Sequence, residues 1–251
     1  MIKVSIITVV YNNEQYIESA IKSVLEQTYP NIEYIVIDGA SKDKTMEVVK
    51  KYEGKIAKWV SEKDKGIYDA MNKGLRLASG DIIGILNSDD IYANNEVIAL
   101  VVENIEKTGA DACFGDLVYV DQKNTDTIVR FWKSSEYQHG KFKWGWMPAH
   151  PTFFVKNEIY KKYGVFNTDF RIAADYELML RFLEKYGIKS CYIPKVMVKM
   201  RIGGKSNQSL GNIIKANREA YRAWKINKLK ANPLTIIAKP LLKIPQYYKR
   251  P

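Results

Sequence analysis

Along the first ninety residues, short unbroken apolar runs alternate with segments in which apolar residues recur every three or four positions. Lys3 to Val10, Ile32 to Asp38, Ala57 to Glu62 and Asp81 to Asn87 are rich in Val and Ile, the pattern of strands buried on both faces of a sheet. Between them, Ile17, Ala20, Ile21, Val24 and Leu25 fall on one helical stripe, and Ile67, Ala70, Met71, Leu75 and Ala78 on another. Strand, helix, strand, helix predicts right-handed crossovers onto a mostly parallel sheet, whose ligands gather beyond the carboxyl ends of the strands. Polar residues cluster at those ends: Tyr11, Asn12 and Asn13; Asp38, Gly39 and Ser41; Glu62, Asp64 and Lys65; Asn87 to Asp90. An α/β fold with one site built from four strand ends is expected.

The second half is less regular. Strands are expected near Ala112 to Val120 and Thr152 to Val155, and a helix from about Ala174 to Lys185, preceded by the aromatic segment Phe142 to Trp146. Gly203 to Gln208 reads as a polar loop rich in breakers, and Asn212 to Leu229 as a basic helix. No internal repeat is evident.

Composition narrows the class. With 251 residues, 46% hydrophobic and 27% charged, the chain can build a core, and disordered or fibrous classes are set aside. Cys113 and Cys191 sit in apolar stretches without metal-ligand spacing and read as reduced core residues, which implies a cytosolic address. The amino terminus enters directly into a strand-like run without signal-peptide features. No apolar stretch approaches the roughly 18 uncharged residues of a membrane span, the best candidate being interrupted by Lys239 and Pro240.

The net charge of +11 is concentrated at the end, where ten Lys or Arg follow Gly211 against one acid, Glu219. There Lys215, Arg218, Arg222, Lys225, Lys228 and Lys230 alternate with Ile213, Ile214, Tyr221, Trp224, Ile226 and Leu229. Such a segment suits an anionic membrane surface; packing of Trp224 and its neighbours on the core is the alternative. Nucleic acid is not expected as a partner.

The most informative local element is Asn87-Ser88-Asp89-Asp90, directly after an apolar run. Carboxylates at a strand end face solvent or a cation, and oxygen ligands suit Mg²⁺ or Mn²⁺ completed by substrate phosphates. The same two acids would also serve as a turn and the start of the next helix. Gly203-Gly204-Lys205-Ser206 is not a P-loop, because that pattern needs glycine where Lys199 stands.

Taken in order, four segments carry a resemblance: Thr8-Val9-Val10-Tyr11-Asn12-Asn13, Val36 to Asp43 (Val-Ile-Asp-Gly-Ala-Ser-Lys-Asp), Ser61 to Gly74, and Asn87-Ser88-Asp89-Asp90. Together they resemble the large inverting glycosyltransferase family conventionally numbered two, with its GT-A fold, a Rossmann-like, mostly parallel sheet flanked by helices. The resemblance implies that Asp38 reads the nucleotide base, with Thr8, Tyr11 and Asn12 framing the pocket. Asp64 and Lys65 would close over the base, Asn72 and Gly74 would line the donor site, Asp89 would serve the ribose and the metal, and Asp90 would be the principal metal ligand. Strand-end packing for Thr8 and Tyr11, and a solvated loop charge for Asp64, are the plainer readings.

A sparser second half resembles the family at Ala173 to Leu178, which places Asp175 as the catalytic base, and at Pro148 to Phe154, where His150 would stand near the donor phosphates. Asp175 could equally cap its helix, and a lone histidine often serves the scaffold. Residues 203–208 resemble a lid, with Arg201 or Lys205 reaching the diphosphate. The implied protein is an inverting, metal-dependent hexosyltransferase using Mn²⁺ or Mg²⁺ and a UDP-sugar. Its implied acceptor is a polyprenyl-diphosphate-linked sugar in bacterial surface polysaccharide (O-antigen or capsule), reached from the inner face of the cytoplasmic membrane. The expected organisation is a catalytic domain over 1–210, divided into a nucleotide-sugar half (1–95) and an acceptor half (96–210), followed by a basic helical extension over 211–251. A sugar-phosphate nucleotidyltransferase, or a non-enzymatic basic module binding membranes or nucleic acid, is the competing reading.

Overall fold

The computed structural model describes residues 1–203, 210–231 and residue 246. Its first half alternates as the pattern requires: β1 (Val4–Val10), α1 (Ile17–Leu25), β2 (Ile32–Asp38), α2 (Thr45–Lys50), β3 (Lys58–Ser61), α3 (Ile67–Leu77) and β4 (Ile82–Asn87). The four strands pair in parallel in the order β3-β2-β1-β4. Every residue of β1 is buried, because its alternating side chains enter two different cores. Val4, Ile6 and Val10 meet α1 and the later helix α4 (Val97–Thr108), whereas Ile7 and Val9 meet α3.

The remaining elements are β5 (Asp90–Tyr92), β6 (Ala112–Val120), β7 (Ile128–Trp132), β8 (Phe154–Lys156), α5 (Asn157–Tyr163), α6 (Ala174–Met179), β9 (Ser190–Arg201) and α7 (Leu210–Ile226). They extend the same sheet as β4-β8-β6-β9-β5, with β7 added to β6. Both β8 pairings are antiparallel, so β6 runs in the same direction as β1 and β4. The carboxyl end of β6 therefore opens on the same edge as those of the first four strands.

The polypeptide after α6 continues for one more segment, Leu180–Lys185, with the wider π spacing, so the helix expected over Ala174 to Lys185 exists with a change of pitch. The twelve residues of β9 are not expected from the sequence, because Pro194, Lys195 and Lys199 interrupt the apolar alternation. Pairing along β6 on one side and β5 on the other overrides that weak local pattern.

Helix α7, which carries the basic segment expected from 211, packs against the rest of the fold, and Ala220, Ala223 and Trp224 are buried in the core that contains Tyr176 and Leu178. The Trp224 indole N–H donates to the Tyr176 hydroxyl at 2.8 Å, and the Asn227 amide donates to Glu177 Oε1 at 2.9 Å. Among the described residues no helix is long and apolar enough to cross a membrane.

At the opposite edge of the sheet, Glu33 is 4% exposed and accepts hydrogen bonds from Ser5 Oγ, the Ser79 backbone and hydroxyl, and the ammonium groups of Lys3 and Lys58. Burial alone would raise its pKa; the hydrogen bonds outweigh burial and hold it at about 2. Because the folded value lies below the unfolded one, the stabilisation is present above pH ~4.5 and is lost as pH falls toward 2. Glu33→Gln is expected to cost roughly 3 kcal/mol at neutral pH, and urea denaturation should show the gap between the two proteins closing below pH 4.5.

Candidate active site

Strand register assembles the site. Val10 lies opposite Asp38, Asp38 opposite Ser61, and Val9 opposite Asn87, so four chain segments leave the sheet side by side. Their loops are then stitched by side chains. Asn12 Oδ1 accepts from the Lys42 backbone at 2.8 Å, Ser41 Oγ accepts from the Asn12 backbone at 2.8 Å, and the Asn13 amide donates to Ser88 Oγ at 2.8 Å. Asn12 and Ala40 adopt positive φ, 48° and 61°. Asparagine tolerates this region, but alanine pays a steric penalty there, so the surrounding bonds impose the loop shape.

Asp38 is fully buried. Its carboxylate accepts from the Ser41 backbone, the Ser41 hydroxyl and the Ser61 hydroxyl at 2.6 Å, so it shapes the pocket floor. Gly39 is needed for proximity: a Cβ there would lie 2.8 Å from Asp64 Oδ2 and 3.3 Å from the Tyr11 ring. Tyr11, 55% exposed, and Asp64 therefore flank one narrow space, as a planar base would require. Lys73 Nζ fastens the opposite wall through Asp64 Oδ1 at 2.5 Å, Glu62 at 2.9 Å and the Lys63 carbonyl at 3.0 Å. Lys65 is exposed on that loop, its backbone N–H held by Asp69 at 3.0 Å.

A second cluster stands beside the first. His150 Nδ1 lies 3.3 Å from Asp175 Oδ2, and the Tyr68 hydroxyl donates to the Ile172 carbonyl at 2.7 Å and lies 3.3 Å from Asp175 Oδ1. Asp175 occupies the first turn of α6 without capping it through its side chain. Capping falls to Glu219 of α7 instead. Its carboxylate, 9% exposed, accepts from the backbones of Arg171, Ile172 and Ala173, the last two at 2.8 and 2.9 Å.

Asp89 is half-buried, and burial raises its pKa against the opposing charges of Arg201 and His150. Asp90 is 1% exposed, begins β5, and has its pKa pushed well up first by burial and then by the neighbouring Asp89. Asp89 is the more open of the two carboxylates, with Asp90 behind it. Asn87 Oδ1 and Asp90 Oδ1 are both buried acceptors without a donor among the described residues. Three oxygen acceptors short of positive charge fit a hard divalent ion held by Asp89 and completed by phosphate oxygens, although no set of three His, Cys, Asp or Glu forms a cage among the described residues.

Three further residues named from the sequence are tied into the scaffold by hydrogen bonds. Thr8 lies inside β1, two residues short of the strand end, fully buried, and its Oγ1 accepts from the Tyr34 hydroxyl at 3.1 Å. Asn72 is 5% exposed and its amide clamps Phe166, donating at 2.9 Å and accepting at 3.0 Å. Arg201, 7% exposed, donates to the Asp89 carbonyl at 2.6 Å, the Gln122 carbonyl and Ser19 Oγ, and stacks over Tyr16. It braces the Asp89 turn and does not reach into the cleft. Lys205 lies outside the described residues. Glu219, Tyr68 and Lys73 were not assigned roles from sequence; the signal for Glu219 was its isolation among ten cations.

The mixed sheet with acids at its strand ends is that of the GT-A glycosyltransferases, and residues 5–166 match the Glycosyl transferase family 2 model. The protein belongs to that family. An uncharacterised glycosyltransferase of Mycobacterium tuberculosis is 34% identical over 180 residues, 71% of this chain and 68% of that one. A PGL/p-HBAD biosynthesis glycosyltransferase of Mycobacterium bovis is 25% identical over 208 residues, 81% of this chain and 78% of that one. S. aureus TarS 1-349 has a similar fold with TM-score 0.68 at 17% identity, covering 95% of this chain and 70% of that one. The mannosyltransferase PcManGT from Pyrobaculum calidifontis, solved with GDP-Man and Mn²⁺, gives TM-score 0.68 at 20% identity, covering 96% and 70%.

Because Glu219 holds the segment that leads into Asp175, Glu219→Ala is expected to lower turnover at least tenfold and to cost about 2 kcal/mol of stability. Stabilisation by nucleotide should persist, and Glu219→Gln should restore part of both losses; an unchanged turnover in Glu219→Ala would remove the positioning role.

Proposed function

We propose that the protein is an inverting, metal-dependent glycosyltransferase that moves a hexose from a UDP-sugar to a hydroxyl of a lipid-linked sugar acceptor in bacterial surface polysaccharide synthesis. The observation that carries this reading is the pairing of His150 with Asp175 at 3.3 Å, beside an acid turn at Asp89 and a narrow slot between Tyr11 and Asp64. Inversion needs one carboxylate that removes the acceptor proton while that oxygen attacks the anomeric carbon opposite the leaving diphosphate. Asp175 takes that proton, the acceptor oxygen bonds to the anomeric carbon, and the bond to the diphosphate breaks with its electron pair. Tyr68 and His150 flank the two carboxylate oxygens and set their direction. Mn²⁺ or Mg²⁺, held by Asp89, would neutralise charge on the leaving group.

The choice of donor nucleotide is supported by the slot between Tyr11 and Asp64 and by fold relatives. TarS 1-349 was solved in complex with UDP-GlcNAc, and PcManGT with GDP-Man. UDP is assigned here on the sequence resemblance. A sugar-phosphate nucleotidyltransferase is disfavoured because the segment after β1 reads Tyr-Asn-Asn in place of a glycine- and arginine-rich loop.

The membrane side of the proposal rests on α7. Its inner face grips α6, while Ile213, Ile214, Tyr221 and Ile226 are exposed beside the exposed Lys215, Arg218, Arg222 and Lys225. That outer face matches an anionic surface in charge and in shallow apolar anchors, and would hold the enzyme at the cytoplasmic face of the membrane.

Thermal unfolding with UDP and Mn²⁺ tests the donor site. The two together should raise the melting temperature more than either alone, Asp89→Asn should abolish that synergy, and Asp90→Asn should keep most of it. Asp175→Asn should keep the stabilisation yet reduce sugar transfer by a hundredfold or more. A wild-type protein indifferent to the pair, and to GDP with Mn²⁺, would overturn the assignment. For the outer face, Arg218→Glu with Lys225→Glu should weaken co-sedimentation with phosphatidylglycerol vesicles severalfold and leave the nucleotide response unaltered.

A further inference from the structure

Strand β6 carries a buried acid that neither the nucleotide slot nor the Asp175 cluster uses. The pairing of β6 with β9 slips at Gly115 and Asp116, and a bulge of this kind re-aims side chains beside a site. Gly115 is tied to Thr152 in both directions, at 3.2 and 3.1 Å, and Thr152 belongs to the same turn as His150. Asp116 thus sits one residue from a link to the turn that carries His150, midway along a strand whose carboxyl end opens on the same edge as the first four.

Its surroundings have the chemistry of a sugar site. Asp116 is 4% exposed and accepts from the Ser134 backbone at 2.6 Å and the Tyr192 hydroxyl at 2.8 Å, both on Oδ1. Among the described residues Oδ2 has no protein donor. Ser134, 6% exposed, presents a buried hydroxyl that has no partner either. Burying the Ser134 hydroxyl without a partner costs free energy that scaffold residues rarely incur, and a ligand that pairs with it and with Asp116 Oδ2 would recover it.

Aromatic rings complete the wall. Phe114, buried, contacts the half-buried Tyr192 and Trp146 at centroid distances of 6.0 and 5.9 Å. Trp146 reaches Phe142 at 5.6 Å, and Phe142 reaches Tyr176 at 5.7 Å, next to Asp175. The seam therefore runs from Asp116 to the helix of the base. Aromatic faces match the C–H faces of a pyranose, and a carboxylate with an adjacent hydroxyl matches its vicinal hydroxyls.

We propose that Asp116, Ser134 and Tyr192, walled by Trp146, form the subsite that binds the sugar ring of the acceptor. The proposal rests on the transferase reading above and names residues for the acceptor side of that reaction. The acceptor class is a pyranoside with two neighbouring free hydroxyls, bound before or after the donor through groups that are separate from the nucleotide slot.

Saturation-transfer NMR on the full chain, with a panel of p-nitrophenyl hexopyranosides as probes, tests it. The wild type should transfer magnetisation to the ring protons of at least one glycoside. Ser134→Ala breaks no protein hydrogen bond, so it should keep its melting temperature and yet weaken that glycoside at least fivefold; Asp116→Asn should weaken it tenfold or more. Asp89→Asn should retain the glycoside signal while losing its response to UDP and Mn²⁺. A wild type silent toward every glycoside but stabilised by UDP with Mn²⁺ would overturn the subsite and leave the transferase reading standing. Equal binding by wild type, Ser134→Ala and Asp116→Asn would also overturn it. Glycoside binding sensitive to Ser134, in a protein indifferent to nucleotide, would support the sugar site and defeat the transferase reading.

Discussion

The register of four parallel strands governs the rest of the molecule. With Val10 opposite Asp38, Val9 opposite Asn87 and Asp38 opposite Ser61, the loops that follow these strands must start within hydrogen-bonding reach of one another. The bonds among Asn12, Ser41, Asn13 and Ser88 then follow from position. They explain why a positive φ at Ala40 is tolerated: several bonds across three loops outweigh a local steric cost. A rigid rim of this kind can present Tyr11 and Asp64 a few ångströms apart across Gly39 with little loss of conformational entropy on binding.

Charge is arranged by depth. Asp38 and Glu33 are buried and surrounded by donors, and they act as structural anions at opposite ends of the sheet. Asp90 is buried beside the half-buried Asp89, and that neighbouring charge adds to the cost that burial sets on ionising Asp90. Arg201 donates to the Asp89 carbonyl and so orients the turn, and its charge offsets part of the cost that burial sets on ionising the two acids. Two acids with unpaired oxygens need positive charge, and a divalent cation supplies it; under the proposed function the same ion would bridge them to an anionic diphosphate.

Helix α7 links the segment that carries Asp175 to the outer surface. Glu219 gathers the three backbone N–H groups before α6, Trp224 and Asn227 lock the same helix to α7, and the exposed face carries isoleucines among cations. A basic segment that reads by composition as an appendage is thus part of the scaffold around Asp175. The two readings of this segment are compatible because a helix has two faces: one is satisfied by α6, and the other is left for a surface.

Periodicity in the chain was sufficient for the parallel half of the sheet, for α1 and α3, and for the convergence of polar residues at four strand ends, since burial on both faces and a 3.6-residue repeat are local properties written in residue order. The shared order of short motifs further pointed to Asp38, Asp64, Asp89, His150 and Asp175. Which side chains are satisfied inside the fold was not legible, because the burial and partners of Thr8, Asn72, Asp90 and Arg201 depend on what surrounds them in space. Thr8 meets Tyr34, Asn72 meets Phe166, and Arg201 meets the Asp89 carbonyl across 112 residues of chain. Strand β9, the role of Glu219 and the lone buried acid at Asp116 likewise exist only as long-range pairings. Local pattern determined the elements and the chemical inventory; the tertiary structure decided which polar groups are satisfied internally and which remain for a ligand, because hydrogen-bond satisfaction is a property of neighbours in space.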